Sequence, residues 1–174
     1  EEKNELVEEA REKAIARYEE IKDDPVANKR KRILLTGGPN TGVKNKLVTI
    51  LEDANIDIVA IDACNGIKER QDLIDETLPP LEALARKYMN VGCSVMTWND
   101  RRIKDMGDMI EDYKIDGVVE CVLQACHTFQ IEARRVRKFV QEEKNLPYIA
   151  ISTDYSTADY GQISTRLNAF VEML

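Results

Sequence analysis

The sequence predicts an α/β fold, namely a flavodoxin-like open parallel sheet of about four strands with helices on both faces, preceded by an N-terminal helix. Two observations lead to this prediction. Four short apolar runs begin near residues 33, 58, 118 and 148, and amphipathic helical segments separate them. Strands that alternate with helices pair in parallel through right-handed crossovers, so the helices cover both faces of one sheet.

Residues 1–28 are predicted to be an amphipathic linker helix. A thin apolar stripe at helical spacing runs along it, made by Val7, Ala10, Ala14, Tyr18 and Ile21. Pro25 ends this helix, because the residue before a proline disfavours helical geometry. The chain opens in helical sequence without a Met, so we expect it to be a piece of a longer protein.

Residues 29–174 are predicted to form the α/β domain. The predicted strands cover 33–36, 58–61, 118–123 and 148–152. Apolar residues at helical spacing predict a helix after the first, third and fourth strands and two helices between the second and third strands. Pro80 suits the first turn of one of these, because its fixed φ matches a helix and its missing N–H is not needed there.

Composition and sequence pattern argue against a nucleic-acid partner, a membrane segment and a disulfide framework. The net charge of −7 and the pI of about 4.9 disfavour a nucleic-acid partner, which needs a basic surface. No apolar stretch approaches the roughly 18 residues of a membrane span, so no membrane segment is expected. The four cysteines are not closely paired and do not resemble a disulfide framework, which favours a reducing, cytoplasmic setting.

Three cysteines stand where a parallel sheet would gather them. Cys64 follows the second strand, Cys126 follows the third, and Cys93 lies in a Gly-Cys-Ser-Val segment between two helices. The carboxyl ends of parallel strands meet at one edge, where such sheets bind ligands. Because thiolates bind iron–sulfur clusters and zinc, the pattern predicts a shared metal site.

The alternatives are a zinc ion and no metal at all. Zinc requires a fourth ligand, and His127 is the only histidine. His127 adjoins Cys126, so binding one small ion with both would strain the backbone, whereas a cluster accepts three protein ligands. Cysteines that end strands are also common core residues, and Cys121, inside the third strand, is predicted to be one.

Other segments carry weaker signals. The glycine-rich turn 37–42 resembles a phosphate cradle, but Val43 stands where a P-loop requires lysine and Lys44 comes one residue later. A plain tight turn is the alternative, and an anion- or CoA-binding module is the function that the cradle would imply. Asp154 follows the fourth strand at the same edge, as a site residue or a turn residue. The basic run 134–138 is either a solvated face or a docking surface for an acidic partner.

Several ordered blocks resemble the C-terminal half of the 2-hydroxyacyl-CoA dehydratase and benzoyl-CoA reductase superfamily. They are Asp62–Lys68, Ala85–Tyr88, Gly92–Met96, Asp116–Val119, Gln124–Thr128, Leu146–Tyr148, Asp154–Tyr155, Gly161–Gln162 and Arg166. The segment Gln124–Thr128 looks most like the double-cubane cluster branch of that superfamily, in which two cubanes are joined by a sulfide.

This resemblance implies an iron–sulfur cluster, a 4Fe-4S cluster or half of a double cubane, bound by Cys64, Cys93 and Cys126. Its neighbours Asn65, Ser94, His127 and Asp154 would tune the cluster through hydrogen bonds. The implied partner is an ATP-dependent activator iron–sulfur protein that supplies low-potential electrons. The implied functions are an ATP-dependent reductase of the double-cubane type or a dehydratase subunit acting on an acyl-CoA.

The family's subunits are about twice as long as this chain. The resemblance therefore implies a missing N-terminal half or a second subunit, and a homodimer is a further expectation. The chain alone is expected to be inactive and to lose its cluster easily. A noncatalytic flavodoxin-like interaction domain remains the alternative from another class of function.

Overall fold

The computed structural model describes residues 2–26, 29–38, 42–63, 68, 72–96 and 98–174. The chain divides into two compact units, residues 1–30 and residues 31–174. Across the described residues, no helix combines the length and apolar character that a membrane crossing requires.

The first unit contains helix α1 (Glu2–Ile21). Its described side chains are exposed except that of Ile21, and its apolar residues Leu6, Val7 and Tyr18 are each more than 60% exposed within the structure. Ion pairs one turn apart, such as Glu9 with Lys13, run along the helix. Such pairs contribute about 0.2–0.5 kcal/mol each, so they stabilise α1 modestly.

The second unit is built on a four-stranded parallel sheet in the order β2-β1-β3-β4. The strands are β1 (Arg32–Gly37), β2 (Asp57–Asp62), β3 (Gly117–Leu123) and β4 (Tyr148–Thr153). The prediction of a flavodoxin-like open parallel sheet is confirmed. The register aligns Thr36 of β1 with Asp62 of β2 and with Glu120 of β3.

Helices cover both faces of the sheet, as the sequence predicts. They are α2 (Lys44–Asp53), α3 (Pro80–Met89), α4 (Asp100–Asp112), α5 (His127–Lys138) and α6 (Tyr160–Val171). Helices α2 and α6 pack on one face through a buried cluster that includes Leu47, Leu167 and Ile33. Helices α4 and α5, the latter continued by a π-helical turn at Phe139–Glu143, form a second cluster on the other face.

The turn after β1 requires its first glycine. Gly37 has a φ of 121°, and a Cβ atom there would lie 1.9 Å from the carbonyl oxygen of Cys121. The next residue, Gly38, donates its N–H to that same oxygen at 3.0 Å. The close approach of β1 to β3 therefore excludes any side chain at position 37.

Candidate functional site

A tight turn places Cys126 directly before helix α5. Ala125 takes a left-handed φ of 66°, and the N–H of Cys126 donates to the carbonyl of Leu123 at 2.9 Å. The N–H of Gln124 donates to the carbonyl of Thr153, which ties the turn to the end of β4. The half-buried Cys126 side chain thus lies at the carboxyl edge of the sheet, at the start of α5.

Cys93 lies in the segment between α3 and α4, and that segment packs against α4. A Cβ atom on the buried Gly92 would lie 2.9 Å from the backbone nitrogen of Arg102. The side-chain amide of Asn99 donates to the carbonyl of Cys93 at 2.8 Å. Glycine before Cys93 is therefore needed for close contact with α4.

Two hydroxyl groups connect the Cys93 segment to the Cys126 segment. Ser94 Oγ donates to Thr128 Oγ1 at 3.4 Å, and Thr128 Oγ1 lies 3.6 Å from Cys126 Sγ. The structure therefore brings these two predicted ligand segments together, with Ser94 half-buried between them. His127, the first residue of α5, is exposed.

Cys64 and Asn65 lie outside the described residues, as does the rest of the segment 64–67. The residues that flank this segment are described. Asp62 ends β2, and its Oδ1 lies 3.1 Å from the Nζ of Lys68, with both side chains almost fully buried. Among the described parts of the chain, no three His, Cys, Asp or Glu side chains gather as metal ligands. The triad of Cys64, Cys93 and Cys126 thus stays a prediction.

A buried charge network lies beneath these segments. The guanidinium of Arg102, completely buried on α4, donates to Glu120 Oε1 at 3.0 Å and to Thr36 Oγ1 at 3.1 Å. It also donates to Glu132 of α5 at 3.2 Å and lies 5.0 Å from the centre of the Phe129 ring. One arginine therefore joins β1, β3, α4 and α5.

The ionisation of this network follows from burial and pairing. Burial raises the pKa of Glu120, and the neighbouring Arg102 opposes that rise. Burial lowers the pKa of Arg102, but the charges of Glu120 and Asp62 outweigh it and the net shift is upward. Tyr148 donates to Glu120 Oε2 at 2.5 Å, and burial together with Glu120 raises the pKa of this phenol. Arg102 and Tyr148 therefore stay protonated at neutral pH.

A second buried cation organises the loop after β4. Lys46 of α2 donates to Thr153 Oγ1 at 2.7 Å, to Asp159 Oδ1 at 2.8 Å and to the carbonyls of Asp154 and Ser156 at 2.9 and 2.6 Å. The hydrogen bonds from Lys46 and then Thr153 lower the pKa of Asp159. The predicted site residue Asp154 is half-buried, and its carboxylate accepts from the Ser156 N–H at 2.7 Å, as a turn residue does.

The remaining sequence signals have separate locations. Residues 39–41 of the glycine-rich turn and the side chain of Lys44 lie outside the described residues, so the phosphate cradle stays a prediction. Cys121 is completely buried among core residues, as predicted. The basic run 134–138 borders a groove of about 340 Å³ beside β4, through Arg134 and Arg137.

An apolar groove opens beside Cys93 and Cys126. It has a volume of about 450 Å³ and is lined by Ser94, Val95, Met96, Trp98, Thr128, Ile131, Glu132 and Arg135. Trp98 and Ile131 are more than 70% exposed. The edge that carries the two thiols therefore also carries an exposed apolar surface.

Sequence reasoning missed the buried cations Arg102 and Lys46, although their positions carried a signal. Arg102 stands four residues before Met106 and seven before Met109, on the apolar face of α4. Lys46 stands three residues after Val43 and four before Ile50, on the apolar face of α2. Glu120 interrupts an otherwise apolar strand, which marks a buried charge that requires a partner.

Comparison with known proteins gives the chain's family. The family model "2-hydroxyglutaryl-CoA dehydratase, D-component" matches residues 1–174. The "Putative dehydratase subunit YjiM" of Escherichia coli (strain K12) is 46% identical over 145 residues, 83% of this chain and 38% of that protein. The (R)-phenyllactyl-CoA dehydratase beta subunit of Clostridium sporogenes is 28% identical over 152 residues, 87% of this chain and 40% of that protein.

A third relative is also named as a dehydratase subunit. The lactoyl-CoA dehydratase subunit beta of Anaerotignum propionicum is 31% identical over 137 residues, which are 75% of this chain and 35% of that protein. The chain thus spans well under half the length of these relatives. The family model covers the whole chain and agrees with the resemblance drawn from its sequence blocks, so the chain belongs to the 2-hydroxyglutaryl-CoA dehydratase D-component family.

Proposed function

We propose that this chain is the iron–sulfur cluster-binding domain of a dehydratase-type subunit, with Cys64, Cys93 and Cys126 as the iron ligands. The observation that carries the proposal is the contact from Ser94 through Thr128 to the sulfur of Cys126. It joins the two segments that carry the half-buried, free thiols of Cys93 and Cys126. Both segments lie at the edge of the sheet where α/β domains bind ligands. The third thiol follows β2, the strand that ends at this same edge.

The donor set fits an iron–sulfur cluster better than a zinc ion. Cysteine thiolates are the ordinary ligands of such clusters. The exposed His127 lies next to Cys126 in sequence, where binding one small ion with both would strain the backbone. When bound, a cluster of this kind supplies low-potential electrons and an iron that is open to substrate.

The protein's own residues have separate tasks in this proposal. Asn99 fixes the backbone of Cys93, and the hydroxyls of Ser94 and Thr128, which lie between the Cys93 and Cys126 segments, would donate hydrogen bonds to a bound cluster. Lys46 holds the loop after β4 at the same edge. Asn65, His127 and Asp154 remain candidates for hydrogen bonds to the cluster.

We further propose that the substrate is a 2-hydroxyacyl-CoA thioester. Two relatives are named for lactoyl-CoA and (R)-phenyllactyl-CoA dehydratases, and both are called beta subunits. The apolar groove beside the thiols suits an acyl group better than a strongly polar ligand. A second subunit and an ATP-dependent activator protein complete the proposed cytoplasmic system.

Anaerobic reconstitution of the intact subunit tests this proposal. Wild-type protein should bind about four irons and four sulfides per subunit, as a 4Fe-4S cluster requires. Replacing Cys64, Cys93 or Cys126 by Ala should abolish this binding. Cys121→Ala is the matched control, because Cys121 is a core residue and should keep the iron. Equal iron content in all four variants would refute the ligand assignment.

The second candidate is an ATP-dependent reductase that carries a double cubane. The segment Gln124–Thr128, which looks like that branch of the superfamily, favours it. The two candidates differ in stoichiometry, because a double cubane holds about eight irons and needs a second cysteine triad. They also differ in reaction, since a dehydratase eliminates water from a 2-hydroxyacyl-CoA and the reductase reduces small molecules. Metal-free protein that folds stably and takes up no iron would instead favour the noncatalytic scaffold.

A further inference from the structure

The buried network around Arg102 contacts the Cys93 segment, the helix that follows Cys126 and the described residues on either side of the segment that contains Cys64. On the β2 side, Arg102 Nε lies 3.6 Å from Asp62 Oδ2, and Asp62 pairs with Lys68 at 3.1 Å. Asp62 and Lys68 flank the segment that contains Cys64, and each is less than 10% exposed. The network therefore anchors both ends of that segment.

The same network contacts the Cys93 segment in two ways. The backbone of Arg102 packs against Gly92, the residue before Cys93. Asn99, which is 4% exposed, donates one amide to the Cys93 carbonyl at 2.8 Å and to Glu132 Oε2 at 3.2 Å. Asn99 therefore connects the Cys93 backbone directly to α5.

Glu132 connects the network to the third segment. It lies on α5, the helix that begins immediately after Cys126, and it accepts hydrogen bonds from both Arg102 and Asn99. Thr128, one turn earlier on the same helix, contacts Ser94 and the sulfur of Cys126. Movement of α5 relative to α4 would therefore change the spacing between Cys93 and Cys126.

We propose that Arg102 and Asn99 are positioning residues, which hold the Cys93 and Cys126 segments at the spacing that a shared cluster needs; this inference rests on the proposed function. Arginine is required because its planar guanidinium offers five donors in fixed directions, and the partners here lie on four different elements. A buried ion network adds little net stability over a well-packed apolar core of the same volume. Its benefit is fixed geometry, which a cluster held from three separate segments requires.

Two substitutions test the proposal with little change in volume. Asn99→Asp keeps the side-chain shape but replaces the donor amide with an oxygen that faces the Cys93 carbonyl and Glu132. Arg102→Lys keeps the positive charge but cannot reach all of the partners. The matched control is Arg101→Gln, because Arg101 neighbours Arg102 on α4 and pairs with Asp72 and Asp105, outside the cysteine segments.

The first readout is amide hydrogen exchange in the metal-free intact subunit. Loss of the Asn99 hydrogen bonds to Cys93 and Glu132 should increase exchange at least about tenfold at residues 91–96 and in the first turns of α5, with β1 and β3 unchanged. The second readout is the rate at which reconstituted protein loses iron to a chelator, together with the EPR spectrum of the reduced cluster. Asn99→Asp and Arg102→Lys should lose iron about tenfold faster and change the spectrum, and Arg101→Gln should match wild type.

The outcomes separate this inference from the proposed function. Wild-type exchange and iron loss in both Asn99→Asp and Arg102→Lys would overturn the positioning role, as would an equal effect of Arg101→Gln. If the Arg102→Lys variant does not fold, hydrogen exchange and iron loss in the Asn99→Asp variant alone decide whether the positioning role holds. If wild-type protein takes up no iron, the proposed function fails, and the exchange experiment by itself decides whether these residues position the thiol segments.

Discussion

Replacing Gly37 by alanine should destabilise the α/β unit severely. The new Cβ atom would lie 1.9 Å from the carbonyl oxygen of Cys121, whereas an ordinary carbon–oxygen contact is roughly 3.3 Å. The ends of β1 and β3 would have to separate by more than about 1 Å on this comparison. That separation would break the hydrogen bond from the buried Gly38 N–H to the same oxygen, which is 3.0 Å long.

Two costs set the magnitude. A buried donor left without its partner costs about 1–3 kcal/mol. A φ of 121° costs a residue with a Cβ atom about 1–3 kcal/mol more. We therefore expect the free energy of unfolding to fall by about 2–6 kcal/mol, a large part of the roughly 5–15 kcal/mol that stabilises an ordinary domain.

Urea unfolding followed by circular dichroism measures this loss. Gly161→Ala is the matched control, because Gly161 lies in α6, is exposed and has open space where its Cβ would be. Alanine is a better helix former than glycine, so the free energy of unfolding of the control should rise by about 0.5 kcal/mol. If Gly37→Ala lowers the free energy of unfolding by less than about 1 kcal/mol, the close approach of β1 to β3 is refuted, because the lost hydrogen bond alone should cost more than that.

Three further predictions concern the carboxyl edge of the sheet. Lys46→Met should lower the free energy of unfolding by about 2–4 kcal/mol, because several buried oxygens lose a charged donor; urea unfolding checks this, and an unchanged midpoint would contradict it. Gly92→Ala should speed iron loss from reconstituted protein, because its methyl group would push the Cys93 segment away from α4; unchanged iron retention would count against that packing. The pKa of Asp159 is lowered by Lys46 and Thr153, so its ionised form contributes stability above its ordinary pKa of 3.8, and this is lost as the pH falls through the lower folded value. Asp159→Asn should therefore lose less free energy of unfolding than wild type when the pH falls below about 4. Identical pH dependence of the unfolding free energy in the variant and in wild type would exclude this role.

The parallel sheet and the core cysteine were predictable because they follow from local pattern. Strand and helix alternate along residues 31–174, and right-handed crossovers leave few strand orders to consider. Cys121 lies inside an apolar strand, so its burial required no knowledge of partners. The sequence also predicted that the Cys93 and Cys126 segments lie at one edge of the sheet. The contact through Ser94 and Thr128 was not predictable, because it depends on how α4 and α5 pack.

The charge network was not predicted, because sequence pattern does not pair distant charges. Arg101 and Arg102 are identical neighbours, yet one contacts Asp72 near the surface and the other is completely buried. Their helical positions differ by about 100°, which turns only Arg102 toward the sheet. Its partner Glu120 was visible as a charge within an apolar strand, so the burial of each residue was predictable, whereas their pairing depends on how α4 packs on the sheet.

The central claim is that Cys64, Cys93 and Cys126 bind one iron–sulfur cluster at the carboxyl edge of the sheet. The most direct measurement is an anaerobic crystal structure of the intact, reconstituted subunit with anomalous scattering recorded at the iron edge. We expect a single cluster above the start of α5, in which three of the irons are each bonded to one of these three sulfurs. Iron bound to other residues, or sulfurs of Cys93 and Cys126 with no common cluster between them, would contradict the claim.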